Sequence, residues 1–449
     1  MNLIIVGAGK VGQTLVENFI NENHDIVVVD VNSETVSNIV NRYDVRGVVG
    51  SGIERDVLIQ AGIESADFFI ACTSQDEINI LCSVLGKKLG AKHTVARVRD
   101  PEYFKEMGNM REILGIDMAF NPEFRTASDI AKILKFPSAK RVESFAGGKA
   151  TMIEFDILEG NPVIGKNLID ISKEYGKVLF ATVFRGDKSY IPHGDFVLQK
   201  GDSVNLIASD AELNSFTKKL KIFKPRAKAV FIIGGGKICY YLAKELLSSG
   251  VSVKILEKDK QRAEELSELL PQANVILGDA TEQELLVEEG ITRCDASIAL
   301  TGMDEENVII SMFAKETGVH KVVTKIDRPS IVKMAKSFGL DSVLSPREVI
   351  ANHIIRFVRS STATVDGEIN TLYKLNESVE AIEFTVSENF KSKDVPLKNL
   401  KIKGDALIVG IVRNGEFILP SGESVLTTGD RVIVVTAQRQ TNGLVQIIN

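Results

Sequence analysis

Residues 3–12 read LIIVGAGKVG, and residues 230–239 read VFIIGGGKIC. Each is a β-branched run that ends on glycines and leads into an amphipathic stretch, TLVENF after the first and YYLAKEL after the second. That order is a strand feeding a phosphate-binding turn at the start of a helix. The first copy carries all three glycines, Gly7, Gly9 and Gly12. The second keeps Gly234 and Gly236 but has Cys239 in the third place. Two unequal copies of one nucleotide-binding turn suit a sensor or regulator better than an ordinary enzyme.

The repeat runs well beyond the glycines. Gly7 and Gly234 stand 227 residues apart, as do Asp30 in DIVVVDVN and Glu257 in VKILEKD. From GSGIERDVLIQAGIESADFFIACTSQDE (50–77) and GDATEQELLVEEGITRCDASIALTGMDE (278–305) the separation is 228, one residue having been inserted. The same register pairs ARVRDPE with TKIDRPS, Pro192 with Pro420, and Gly201-Asp202 with Gly429-Asp430. Within each half the texture changes. Residues 1–134 and 228–358 alternate Val/Ile-rich runs with amphipathic stretches, which predicts βαβ units and a parallel sheet. Residues 143–224 and 368–449 hold short strands around turn-rich segments, such as ATMIEFDIL and KVLFATVFRG, and predict small α+β domains with mainly antiparallel sheets. The expected fold is therefore α/β: tandem Rossmann-like lobes, each followed by a small α+β lobe, with PRAK (225–228) as the linker between halves.

Composition sets limits on function. A net charge of −6 lacks the basic footprint of a nucleic-acid binder. No apolar run approaches the roughly 18–20 residues that span a bilayer, and MNLIIVGAGKVG has no basic segment of the kind that opens a signal peptide. Cys72, Cys82, Cys239 and Cys294 form no CxxC pair and lie in apolar surroundings, as buried free thiols of a reducing compartment do. The five histidines are scattered, which argues against a zinc cluster.

The candidate site in the first half follows from the turn. Gly7 would permit the tight turn, Gly9 would let the backbone approach a pyrophosphate held by amides at the helix N-terminus, and Gly12 would let helix and strand pack closely. Asp30, 18 residues after Gly12, stands where a carboxylate accepts an adenosine ribose, and no arginine follows it to take a 2′-phosphate. This favours NAD(H) or adenine nucleotides over NADP. Ser51 after the third strand is placed for the adenine side. Cys72 and Thr73 end the fourth strand, and Arg97 ends the fifth with a fork suited to phosphate or to a surface or interface salt bridge. Thr73 is also a candidate cap for the next helix. In the second half the corresponding residues are Gly234, Gly236, Glu257, Asp279, Thr301 and Lys325. There Cys239 is expected to push helix from strand and weaken the site, and Lys325 supplies a point charge in place of a fork. The acids of SQDE and GMDE should begin helices, and Gly194 and Gly201-Asp202 should serve turns. His193 in YIPHGD has no acid–base partner, and Ser421 replaces it in the second copy, so a dehydrogenase reading finds no catalytic group.

The chain resembles the TrkA family, the regulatory subunits of Trk/Ktr-type potassium uptake systems. The resemblance lies in GAGKVGQTLVENF, ADFFIACTSQDE, ARVRDPEYF, FNPE, GGGKICYYLAKELL, GDATEQELL and IVRNGEFILPSGESVLTTGDRVIVV, and it spans the whole chain. It implies RCK (KTN) architecture, in which each Rossmann-like RCK-N lobe is followed by a small RCK-C lobe. Carried over residue by residue, it implies a first site of Gly7, Ala8, Gly9, Lys10, Val11, Asp30, Ser51, Cys72, Thr73 and Arg97, and a second of Gly234, Gly235, Gly236, Lys237, Ile238, Glu257, Asp279, Leu300, Thr301 and Lys325. It implies a homo-oligomer, dimer or tetramer, in the cytoplasm, peripheral on the inner face of the cell membrane. Its partner would be a membrane potassium translocation subunit of the TrkH/TrkG kind. Bound NAD(H), ATP or ADP would then change ring geometry and ion flux, and Glu123 of the NPE segment would approach a neighbour or ligand. An NAD-dependent oxidoreductase, or a nucleotide-binding regulator of another cation transporter, is the alternative.

Overall fold

The computed structural model describes the chain except residues 21, 23, 341, 362–366, 377, 404, 438–442 and 449. It divides into two compact units, 1–127 with 344–355, and 128–343 with 356–449.

The first parallel layer follows the alternation read from the sequence. Its elements are β1 (Asn2–Val6), α1 (Lys10–Ile20), β2 (Asp25–Asp30), α2 (Ser33–Arg42), β3 (Arg46–Val49), α3 (Arg55–Ala61), β4 (Phe68–Ala71), α4 (Asp76–Leu89), β5 (His93–Arg97), α5 (Pro101–Leu114), β6 (Met118–Phe120) and α6 (Pro122–Lys135). The strands form one parallel sheet in the order β3-β2-β1-β4-β5-β6. Helices cover both faces, so the central strands read as continuous apolar runs: Leu3–Val6 and Phe68–Ala71 are all buried. The strand order reverses between β1 and β4, which opens a crevice beyond their carboxyl ends.

A small antiparallel sheet follows, made of β7 (Arg141–Phe145), β8 (Ala150–Asp156), β9 (Leu179–Arg185), β10 (Lys188–Tyr190) and β11 (Ser203–Ala208), with α7 (Leu168–Tyr175) and α8 (Asp210–Lys219). Its order is β10-β9-β11-β8-β7. The second parallel sheet repeats the first. It comprises β12 (Ala229–Ile233), α9 (Lys237–Ser248), β13 (Ser252–Glu257), α10 (Lys260–Leu269), β14 (Asn274–Leu277), α11 (Gln283–Glu288), β15 (Ala296–Ala299), α12 (Asp304–Glu316), β16 (Lys321–Lys325), α13 (Pro329–Ser337), β17 (Ser342–Leu344) and α14 (Pro346–Ser361). The strand order, β14-β13-β12-β15-β16-β17, is the same. The last sheet, β18-β19-β22-β20-β21, is built from β18 (Gly367–Lys374), β19 (Glu380–Val386), β20 (Ala406–Arg413), β21 (Glu416–Ile418) and β22 (Arg431–Thr436). The fold class expected from the sequence is the one observed. The domain edges expected at 143 and 368 fall inside β7 and β18.

Two features of the antiparallel lobes were not read from the sequence. Asp202 and Asp430 do more than turn the chain. Each is buried and takes a two-pronged arginine: Arg185 Nε and Nη2 lie 2.7 and 2.8 Å from Asp202, and Arg413 Nε and Nη2 lie 2.8 and 2.7 Å from Asp430. Burial alone would raise the Asp430 carboxyl, but the Arg413 fork and the Thr427 amide outweigh it and hold the group below its usual range. The two antiparallel sheets also share one apolar layer. Phe145, Met152 and Ile207 of one pack with Leu375, Val409 and Ile433 of the other. Polar stitches border it, Ala146 N to Glu383 Oε2 at 2.8 Å and Tyr373 OH to Ser144 O at 3.1 Å.

Candidate nucleotide clefts

In the first half the turn is tight where the protein packs and open where a ligand would lie. Gly7 adopts φ 103°, and its amide donates to Val29 O at 2.8 Å. A Cβ on Gly7 would stand 2.8 Å from the Cys72 carbonyl carbon and the Thr73 nitrogen. One on Gly12 would stand 2.0 Å from the Gly7 oxygen. At Gly9 a Cβ would meet nothing within 4 Å. The outer glycines thus serve close backbone approach, and the middle one keeps space free beside the amides at the start of α1. Lys10 is exposed there, while Ala8 and Val11 are buried.

Asp30 holds the turn from the next strand. Its Oδ2 accepts the Ala8 amide at 2.7 Å and its Oδ1 the Asn32 amide at 2.9 Å. Each carboxylate oxygen retains a second lone pair, which is what a ribose hydroxyl would use. Gly50 N donates to Asp30 O at 2.9 Å, which sets the half-buried Ser51 beside it. Cys72 lies beneath the turn, its Sγ 3.4 Å from Gly7 O, and burial pushes its thiol up to about 12. It is therefore a packing group, inert as a nucleophile.

The far wall is held by a residue the sequence reading passed over. Asn79, fully buried in α4, accepts from Thr73 N at 2.7 Å and Thr73 Oγ1 at 2.8 Å. Its amide donates to Thr73 O at 3.2 Å and Arg97 O at 3.0 Å. It ties the ends of β4 and β5 together. Asn307 repeats this in the second half, with Thr301 N at 2.8 Å, Thr301 O at 3.2 Å and Lys325 O at 3.0 Å. The helix expected to be capped by Thr73 is instead capped at Gln75, and its first residue, Asp76, accepts the Arg99 and Asp100 amides. Both acidic segments do begin helices, at Asp76 and Asp304. Asn79→Ala should release the β4 and β5 ends and lower first-cleft nucleotide affinity by about tenfold, which calorimetric titration checks.

Arg97 is the group that most invites a ligand. It forms no ion pair among the described residues. Its Nη1 reaches Thr73 O at 3.4 Å, and its Nε is buried without a hydrogen-bond partner among the described residues. Burial, with Arg99 nearby, depresses the guanidinium's affinity for its proton. Arg99 next to it is paired instead, its Nε 2.7 Å from Glu123 Oε1.

The second cleft keeps the turn and changes its charges. Gly234 has φ 99° and donates to Leu256 O at 2.9 Å, and Gly236 faces open space as Gly9 does. Glu257 Oε2 accepts Gly235 N at 2.5 Å. Cys239 is fully buried, and the bond from Tyr240 N to Gly236 O persists at 3.1 Å. Lys237 is exposed, and Ile238 and Leu300 are buried. Lys325 Nζ is satisfied by Thr301 O at 3.0 Å and lies 4.0 Å from Asp327, which stands where the first half has Arg99. Asp279 is engaged by Thr281, whose amide and hydroxyl lie 2.9 and 2.8 Å away and hold its carboxyl below the usual range. His193 is exposed in a turn.

This pairing of a doubly wound nucleotide-type lobe with an antiparallel companion, present twice, defines a tandem RCK-type protein. The TrkA-N domain family matches residues 3–122 and 230–346, and the TrkA-C domain family matches 152–221 and 381–449. A Trk system potassium uptake protein TrkA homolog of Archaeoglobus fulgidus is 33% identical over 434 residues, covering 97% of each chain. The GsuK RCK domain superposes with a TM-score of 0.64 at 20% identity, covering 98% of this chain and 93% of that one. The GsuK channel bound to NAD gives the same TM-score at 21% identity, with 98% and 77% covered. The chain belongs to the TrkA family of Trk-system potassium uptake proteins.

Proposed function

We propose that this chain is the nucleotide-sensing regulatory subunit of a potassium uptake system. It binds NAD(H), ATP or ADP in its Rossmann-like lobes and gates a membrane potassium translocation subunit as a cytoplasmic homo-oligomer at the membrane's inner face. The lobes at 1–134 and 228–358 are the sensors, and those at 143–224 and 368–449 are their companions. The observation that carries the reading is Arg97: a half-buried cation whose buried Nε has no hydrogen-bond partner among the described residues, beside a complete glycine turn and the Asp30 carboxylate. Such a group fits an anion that crosses from the helix N-terminus toward β5. NAD bound to the similarly folded GsuK channel supports the ligand class. Among the described residues no helix is long and apolar enough to cross a membrane, so on this reading the translocation path belongs to the partner.

Ligands of different charge would meet Arg97 and the helix N-terminus differently, and only differential affinity for two ring states shifts their balance. The test is titration of the purified chain with NADH, ATP and ADP. Gly9→Glu should abolish first-cleft binding by filling the open space, and Asp30→Ala should weaken it by about tenfold. Unchanged affinities in both variants would sink the assignment. Potassium flux through the membrane subunit, with and without ATP, then tests gating.

A further inference from the structure

In the second half a guanidinium caps the glycine turn from the helix after the acid strand, and no such contact is made in the first half among the described residues. Arg262, in the first turn of α10, donates from Nε to Gly235 O at 2.7 Å, and its Nη1 lies 2.7 Å from Glu265 Oε2. Gly235 is the residue whose amide binds Glu257. The guanidinium therefore sits beside both the turn and the acid that would hold a ribose. Leu266, one turn further along α10, closes on the same spot: a Cβ on Gly235 would stand 2.5 Å from Leu266 Cδ1. Only 25% of the Arg262 side chain is exposed.

The first half caps its turn from the other side. Ala8, the counterpart of Gly235, gives its carbonyl to Gln13 Nε2 of α1 at 3.2 Å. In the repeat Gln13 becomes Tyr240, which has no amide to donate, and Thr35 becomes Arg262. Thr35 makes no bridge to Ala8 among the described residues. Both carbonyls are satisfied, but only the second cap reaches the turn from the helix that follows the acid strand.

We infer that Arg262 sets the affinity of the second cleft, as a strap over its adenosine end that must swing aside before an adenine nucleotide enters. The inference rests on the reading of both turns as nucleotide sites. Opening the strap breaks a charge-assisted hydrogen bond and a partly exposed ion pair, which lowers affinity by about tenfold. The same arginine then faces solvent or the ligand's ribose edge.

The test uses the full-length chain with Gly9→Glu closing the first cleft, titrated calorimetrically with ADP. This background is compared with Arg262→Ala added, and with Arg262→Thr plus Tyr240→Gln added. The double change gives the second turn the first turn's own cap, so its carbonyl keeps a donor and the fold is not put at risk. Both variants should bind ADP about tenfold more tightly. Unchanged or weaker binding in both overturns the strap, weaker binding marking Arg262 as a ligand contact. The chain with its first cleft intact is titrated with ADP and NADH alongside. Absence of binding there sinks the nucleotide reading and the strap with it, whereas binding there without a response to Arg262 sinks the strap alone.

Discussion

Replacing Gly12 by valine should cost the first cleft about a hundredfold or more in NADH affinity while the chain stays folded. The Cβ position of Gly12 lies 2.0 Å from the Gly7 carbonyl oxygen, a backbone atom that cannot rotate away. Relief requires the start of α1 or the turn to move by about 1 Å, and a displacement of that size at a positioned site is worth about a hundredfold. The amides that would meet a phosphate move with the helix. The stability cost is that of overpacking, about 1–3 kcal/mol. Cys239 shows that a side chain at this position is compatible with a folded lobe whose turn bonds survive. Calorimetric titration with NADH, together with a circular-dichroism melt, separates the two effects. Wild-type affinity in a folded Gly12→Val protein would refute the assignment of the turn.

Arg97→Met should move affinity and stability in opposite directions. Methionine keeps much of the apolar stem and removes a half-buried cation whose buried Nε has no partner among the described residues. An unsatisfied buried donor is a burden on the ligand-free protein, so its removal should leave the melting temperature unchanged or raised. With nucleotide present, the loss of a charged hydrogen bond is worth about 1.5–3 kcal/mol, or roughly 10–150-fold in affinity. Arg97→Lys should lie between, since an ammonium offers the charge without the fork. A purely structural arginine would behave differently: Arg97→Met would lower the melting temperature and leave binding alone. Thermal melts with and without NADH distinguish these outcomes.

Much of this was legible in the chain before any coordinates. The glycines, the acid at the second strand end and the duplication fix two parallel sheets and the location of their crevices, because those features depend on spacing and period. The edge strands β7 and β18 were not. RVESF follows α6 with no strong turn signal, and its alternation is too short to separate from a loop. Asn79, and the grip of Asp76 on the Arg99 and Asp100 amides, were missed for another reason. A polar residue on an amphipathic helix reads as solvated, and only tertiary packing turns it inward. The signal was present in the repeat, where both recur 228 residues later as Asn307 and Asp304. Arg262 had no such echo. Its meaning depends on the loss of Gln13's amide at Tyr240, a swap between two helices that no single-segment pattern displays. Asp202 was read as a turn residue, and its repeat Asp430 was left without a role, because the arginines that hold them lie 17 residues upstream, on another strand.

The apolar layer shared by the two antiparallel lobes bears on how such a chain diverges. A pair of identical subunits meets through a self-complementary surface, where one mutation strikes both sides of the contact together. Here Phe145 and Met152 face Leu375 and Val409 within one polypeptide. Either side can drift alone and be compensated by the other. Fusion of that kind frees each half from resembling its twin, and it is the condition under which one turn can keep its third glycine while the other acquires a cysteine and an arginine strap.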